Sequence, residues 1–65
     1  MSTIQKGDRV RLSGVRHDAY RDLEGTVWRI TKKRGGVPGP WAYVELDDGR
    51  LFDARLTQVT RIEEA

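Results

Sequence analysis

From Lys6 to Ile30 the chain carries KGDRVRL and then DLEGTVWRI, two short segments of alternating apolar and polar residues, each opened by a glycine. A period of two puts successive side chains on opposite faces of an extended backbone, so each segment predicts a half-buried strand. In the first, about Asp8–Leu12, Val10 and Leu12 share one face while Arg9 and Arg11 take the other. The second, about Gly25–Thr31, is rich in the β-branched and aromatic residues that fit a pleated surface. Val27 and Ile30 stand on opposite parities, which predicts a bulge between them or burial on both faces. No segment has the length and period of an α-helix. The chain must build its core from strands.

The remaining strands follow from the same pattern. Trp41–Leu46 alternates, with Ala42, Val44 and Leu46 on one face and Trp41, Tyr43 and Glu45 on the other. Asp48-Gly49 predicts a two-residue type I′ hairpin, setting Leu46 opposite Leu51 and Glu45 opposite Phe52 on a strand of about Arg50–Ala54. Ala54-Arg55-Leu56-Thr57 is long enough only for a 3-10 turn, and Gln58–Ile62 supplies a fifth strand. Ser13 to Glu24 is a long polar loop, functional or mobile, with Tyr20 and Leu23 as its anchors to the core. Lys32 to Pro40 holds three glycines, both prolines and a basic triplet, and is expected to be a loop.

Sixty-five residues make a single domain over 1–65, with an ordered core of about 6–62. Met1–Gln5 is expected to be a frayed lead-in, with Ile4 tucked against the barrel, and Glu63-Glu64-Ala65 an acidic tail. With no cysteine there is no disulfide or thiolate metal site, which fits a cytoplasmic protein. No apolar run approaches the roughly 20 residues of a membrane span, so a soluble protein without a membrane partner is expected. The net charge of +2 is unevenly placed: residues 1–34 carry nine Lys/Arg against four Asp/Glu, and the rest three against six. Such asymmetry points to a basic surface for an acidic partner, unless the fold mixes the two halves.

Five short strands, a long first loop, a tight hairpin and a one-turn helix before the last strand resemble the SH3-like small β-barrel. Within that group, Gly7-Asp8-x-Val10 followed by Gly25-x-Val27-x-x-Ile30 is similar to the KOW-type pattern of transcription and ribosomal proteins. That resemblance implies a barrel contacting RNA, DNA or another protein of the transcription or translation machinery. Gly-Asp-Arg-Val-Arg and Trp-Ala-Tyr-Val-Glu also resemble the plasmid-encoded, tetrameric dihydrofolate reductases, another SH3-like group. Where those enzymes carry a Val-Gln-Ile-Tyr pore segment this chain has Leu51-Phe52-Asp53-Ala54, so this enzyme reading ranks last.

Residues able to do chemistry are few. His17 is the sole histidine, with Asp18 and Asp22 near it in the loop, but no nucleophile or pocket is implied beside it. One histidine and scattered aspartates lack the count and spacing of a metal site, and Asp47-Asp48-Gly49 reads as a turn rather than a calcium loop. No catalytic residue, metal or cofactor is therefore expected. Nucleic acid is the first partner, RNA or DNA, with Arg29, Lys32, Lys33 and Arg34 on phosphates and Trp41 and Tyr43 stacking on bases. A protein partner is the alternative, met by an outward patch of Trp28, Trp41, Tyr43 and Phe52. Trp28 and Trp41 could also simply pack against each other across strands. An open sheet edge would further allow weak homo-oligomers.

Overall fold

The computed structural model describes residues 4–62, so the expectations for Met1–Thr3 and Glu63-Glu64-Ala65 lie outside the described residues. The strands are β1 (Arg9–Arg11), β2 (Glu24–Arg34), β3 (Val37–Leu46), β4 (Leu51–Arg55) and β5 (Thr60–Arg61), with a 3-10 turn at Leu56–Gln58. They form one antiparallel sheet in the order β4-β3-β2-β1-β5. The fold is all-β with a single 3-10 turn before the last strand, as the pattern predicts. Its strand order is compatible with an SH3-like barrel, although β4 and β5 remain edges and the sheet does not close.

The alternation sets the core. Val10, Leu12, Val27, Ala42, Val44, Leu46 and Ala54 are buried on one face of the sheet, and Tyr20 and Leu23 pin the long first loop against it. Each fully buried valine or leucine contributes about 1.5–3 kcal/mol relative to exposure. Val15, which the polar loop concealed, is also buried, 4% exposed. The loop is stitched to β1 by backbone bonds from Leu12 N–H to Leu23 O (2.8 Å) and from Asp22 N–H to Leu12 O (3.1 Å). The bulge implied by Val27 and Ile30 is present as a register shift between Val27 and Arg29.

Two turns differ from expectation. Lys32 to Pro40 is not a loop: β2 and β3 continue through it as an antiparallel arm, with Lys33 opposite Pro38 and Arg34 opposite Val37. Only Gly35 and Gly36 turn, at φ +56° and +83°, the positive pair that a two-residue type I′ connection needs. The prolines are tolerated because β4 pairs with β3 only from Trp41 onward, leaving the outer side of the arm without a neighbouring strand.

The second hairpin carries the opposite correction. Asp48 does not take positive φ, so Asp48-Gly49 is not type I′. Instead Gly49 N–H donates to Leu46 O at 2.9 Å, Leu46 N–H donates to Arg50 O at 2.7 Å, and Gly49 lies at φ +92°. That is a three-residue loop with a glycine bulge. The extra residue shifts the register, pairing Glu45 with Leu51 and Val44 with Phe52. Because a one-residue slip exchanges the faces of a strand, Phe52 turns toward the core instead of outward.

Candidate nucleic-acid interface

Pairing across β2, β3 and β4 decides which side chains share the outer face. Cross-strand partners project to the same side, so Thr31, Trp41 and Arg55 form one row, and Arg29, Tyr43 and Asp53 the next. Trp28 sits at the bulge, 41% exposed, with its ring edge-on to Tyr43 at 5.6 Å between centroids. The Arg29 guanidinium lies 5.9 Å from the centre of the Tyr43 ring. Trp28, Tyr43 and Trp41 thus all face away from the core. Phe52 does not join them: it packs against Tyr20 on the other side, ring centroids 4.7 Å apart.

Trp41 has a different setting from Trp28, and the two do not pack as a cross-strand pair. Its indole N–H donates to Val37 O at 3.1 Å, which folds the ring back along the arm. The guanidiniums of Arg55 and Arg34 lie 4.6 and 5.8 Å from the ring centre. Arg55 also donates to Pro38 O at 3.1 Å. Gly39 makes room for this packing, since a Cβ there would stand 2.6 Å from the indole Cδ1. Trp41 and Arg55 therefore fasten two arm carbonyls, Val37 O and Pro38 O, to the sheet.

Charge is sorted along the sheet. At the end away from the arm, Arg9 makes a two-pronged contact with Asp47, at 2.6 and 2.9 Å, and Arg11 pairs with Glu24 at 2.9 Å. Arg50 pairs with Asp48 at 2.7 Å, and Arg21 with Asp18. The hydrogen bond from Arg9 holds the Asp47 carboxyl below its ordinary pKa, and bonds from the Arg50 backbone and side chain do the same for Asp48. On the arm and its base, Arg29, Lys32, Lys33 and Arg55 pair with no carboxylate among the described residues, and only Arg34 is matched, by Asp53 at 2.6 Å. Glu45 shares the outer face but stands opposite Thr26, toward the end away from the arm.

The structure thus brings together Arg29, Lys32, Lys33, Arg34, Trp41 and Tyr43 on one hairpin and its outer face. Arg55 is a cation of this face that the sequence reading missed. Its place beside Trp41 emerges only from the β3–β4 register. His17 stands exposed in the first loop, its Nδ1 accepting from Ala19 N–H at 3.3 Å and its ring edge-on to Tyr20. Ser13, the nearest serine in sequence, is instead bonded to the Thr60 hydroxyl at 2.6 Å. Among the described residues no group of three His, Cys, Asp or Glu side chains could hold a metal ion, and no helix is long and apolar enough to cross a membrane. No protein-family model matches the chain, and no curated protein or solved structure matches it.

Proposed function

We propose that this protein is a small non-enzymatic module that binds nucleic acid, RNA or DNA, through the outer face of β2 and β3 and the arm they form. The observation that carries the reading is the set of unmatched cations, Arg29, Lys32, Lys33 and Arg55, around outward-facing rings. Phosphates supply the sequence-independent part of such binding, and exposed rings supply stacking. The KOW-like pattern of β1 and β2 agrees with this reading, as does a cytoplasmic site of action.

The test compares two double charge reversals of equal net change. Lys32→Glu with Lys33→Glu removes arm cations, whereas Arg16→Glu with Arg21→Glu removes exposed cations of the first loop. In fluorescence anisotropy with a mixed-sequence single-stranded 12-mer at low salt, the arm variant should weaken binding by about tenfold or more. The control pair should remain within about twofold of the unaltered protein. Equal losses in both variants would reduce the effect to net charge and remove the arm from the argument. A protein partner is the second reading, favoured by the exposure of Trp28 (41%) and Val37 (45%). It predicts salt-insensitive capture of a protein that survives the arm reversal and is lost on Trp28→Ala.

A further inference from the structure

The three outward rings are not equivalent, and their differences say what form of nucleic acid the face accepts. Trp41 is committed to the arm by its bond to Val37 O, by Gly39 against its edge and by the guanidiniums of Arg34 and Arg55 near its ring. Displacing it for a base would release the Val37 carbonyl and disturb the support of Pro38. Trp28 has no such commitment. Among the described residues its one ring contact is Tyr43, and it is the sole aromatic among the large apolar side chains exposed there.

We propose that the ligand is single-stranded nucleic acid, with an unpaired base held against Trp28 and Tyr43, while Trp41 takes no base and positions the arm. This rests on the nucleic-acid reading above and adds the strandedness and the ring that does the stacking. A duplex presents phosphates and groove edges but no free base face, so it would leave the exposed indole of Trp28 without a partner. A single strand offers such faces at every nucleotide. Arg29 adjoins the stacking corner, and Lys32 and Lys33 continue from it along β2. Four to five residues of strand span about 13–17 Å at roughly 3.3 Å per residue, enough to follow on the order of two to three nucleotides of an extended single strand.

Two single-tryptophan proteins decide the matter. Trp41→Phe leaves Trp28 as the only indole, and Trp28→Phe leaves Trp41. Each is titrated with fluorescein-labelled dT12 and U12 for anisotropy and with the unlabelled oligomers for intrinsic fluorescence, beside a 12-base-pair duplex. The expected result is quenching of Trp28 that follows the binding curve, little change at Trp41, and weaker binding of the duplex. Trp28→Ala should weaken single-strand binding about tenfold to a hundredfold, with the salt dependence kept, because stacking rather than phosphate contact is lost. Saturable anisotropy with Trp28 unchanged, preferential quenching of Trp41, or duplex binding as tight as single-strand binding would each overturn the inference and leave the nucleic-acid reading standing. If the unaltered protein gives no anisotropy change at low salt, both readings fall together.

Discussion

Gly25→Ala tests the register on which the outer face depends. Gly25 is buried between β1 and β3, opposite Val10 on one side and Leu46 on the other. A Cβ at this position would stand 2.4 Å from Glu45 O, 2.8 Å from Val44 Cγ1 and 2.9 Å from the Glu45 carbonyl carbon. Two of those three atoms are main chain, held in the ladder, so no rotamer change relieves the clash. Overpacking of this kind costs about 1–3 kcal/mol, and main-chain contact puts Gly25 at the upper end. Reduced freedom of the unfolded chain returns about 0.4–1 kcal/mol, leaving a net loss of about 2–3 kcal/mol. For a domain of this size that is a fall in melting temperature of roughly 10–20 °C. It is also most of the roughly 3–5 kcal/mol that such a core supplies without staples. Circular dichroism melts of Gly25→Ala and Gly7→Ala make the comparison. Gly7 has open space around it and only positive φ to lose, so its substitution should cost about 1–2 kcal/mol. A Gly25→Ala protein melting within about 3 °C of the parent would refute the close approach, and with it the pairing that places Trp28 and Tyr43 outward.

Two further outcomes follow from the charge arrangement. Asp53→Asn removes the carboxylate matched to Arg34, so affinity for a single-stranded oligomer should rise severalfold at low salt and the log–log salt slope should steepen by about 0.7; anisotropy titrations across salt concentrations check it. Asp47 and Asp48 have folded-state pKa values lowered by bonds from Arg9 and Arg50, so their contribution is present above the unfolded carboxylate pKa and is lost as pH falls through the folded values. Urea midpoints should therefore drop below about pH 4, and Asp47→Asn should flatten that drop without changing the midpoint's trend near neutrality.

Local alternation made the strands legible, and non-local pairing hid the rest. Val10, Ala42, Val44 and Leu46 are legible as core from parity alone because each lies in a segment with an unbroken period of two. The Val27/Ile30 conflict even located the bulge. The type I′ turn falls at positions 35 and 36, within the expected loop, rather than at 48 and 49, because glycine content signals positive φ without saying how many residues share the turn. Gly-Gly at positions 35 and 36 supplies two such residues, whereas Asp48-Gly49 supplies only Gly49. The arm was obscured by its prolines, whose missing N–H matters only where a third strand would pair, and none does there. For the site, the cations were visible as a triplet and the outward aromatics as alternation. Arg55 and the different settings of Trp28 and Trp41 were not, since they depend on the β3–β4 register and on the bulge in β2.

The sorting of charge follows from topology rather than composition. Antiparallel pairing of β2 with β3 brings the start of one beside the end of the other, so Glu24 and Asp47 meet at the same end of the sheet. Backbone contact confirms the meeting, Asp47 N–H donating to Glu24 O at 3.1 Å. β1 pairs along that end only, and delivers Arg9 and Arg11 to those two carboxylates. Asp47 of the acidic half is thereby matched with Arg9 of β1 and Glu24 with Arg11, and the arm at the other end keeps its cations. A net charge of +2 would predict weak attraction to a polyanion if spread evenly. Within that total, Arg29, Lys32, Lys33, Arg34 and Arg55 gather on the arm and its base with Asp53 as the near counter-charge, so the positive field is concentrated there. Exposed ion pairs like those of Arg9 and Arg11 contribute about 0–1 kcal/mol to stability, too little to account for the arrangement by stability alone. Their larger effect is to neutralise the carboxylates of Glu24 and Asp47 at the end away from the arm.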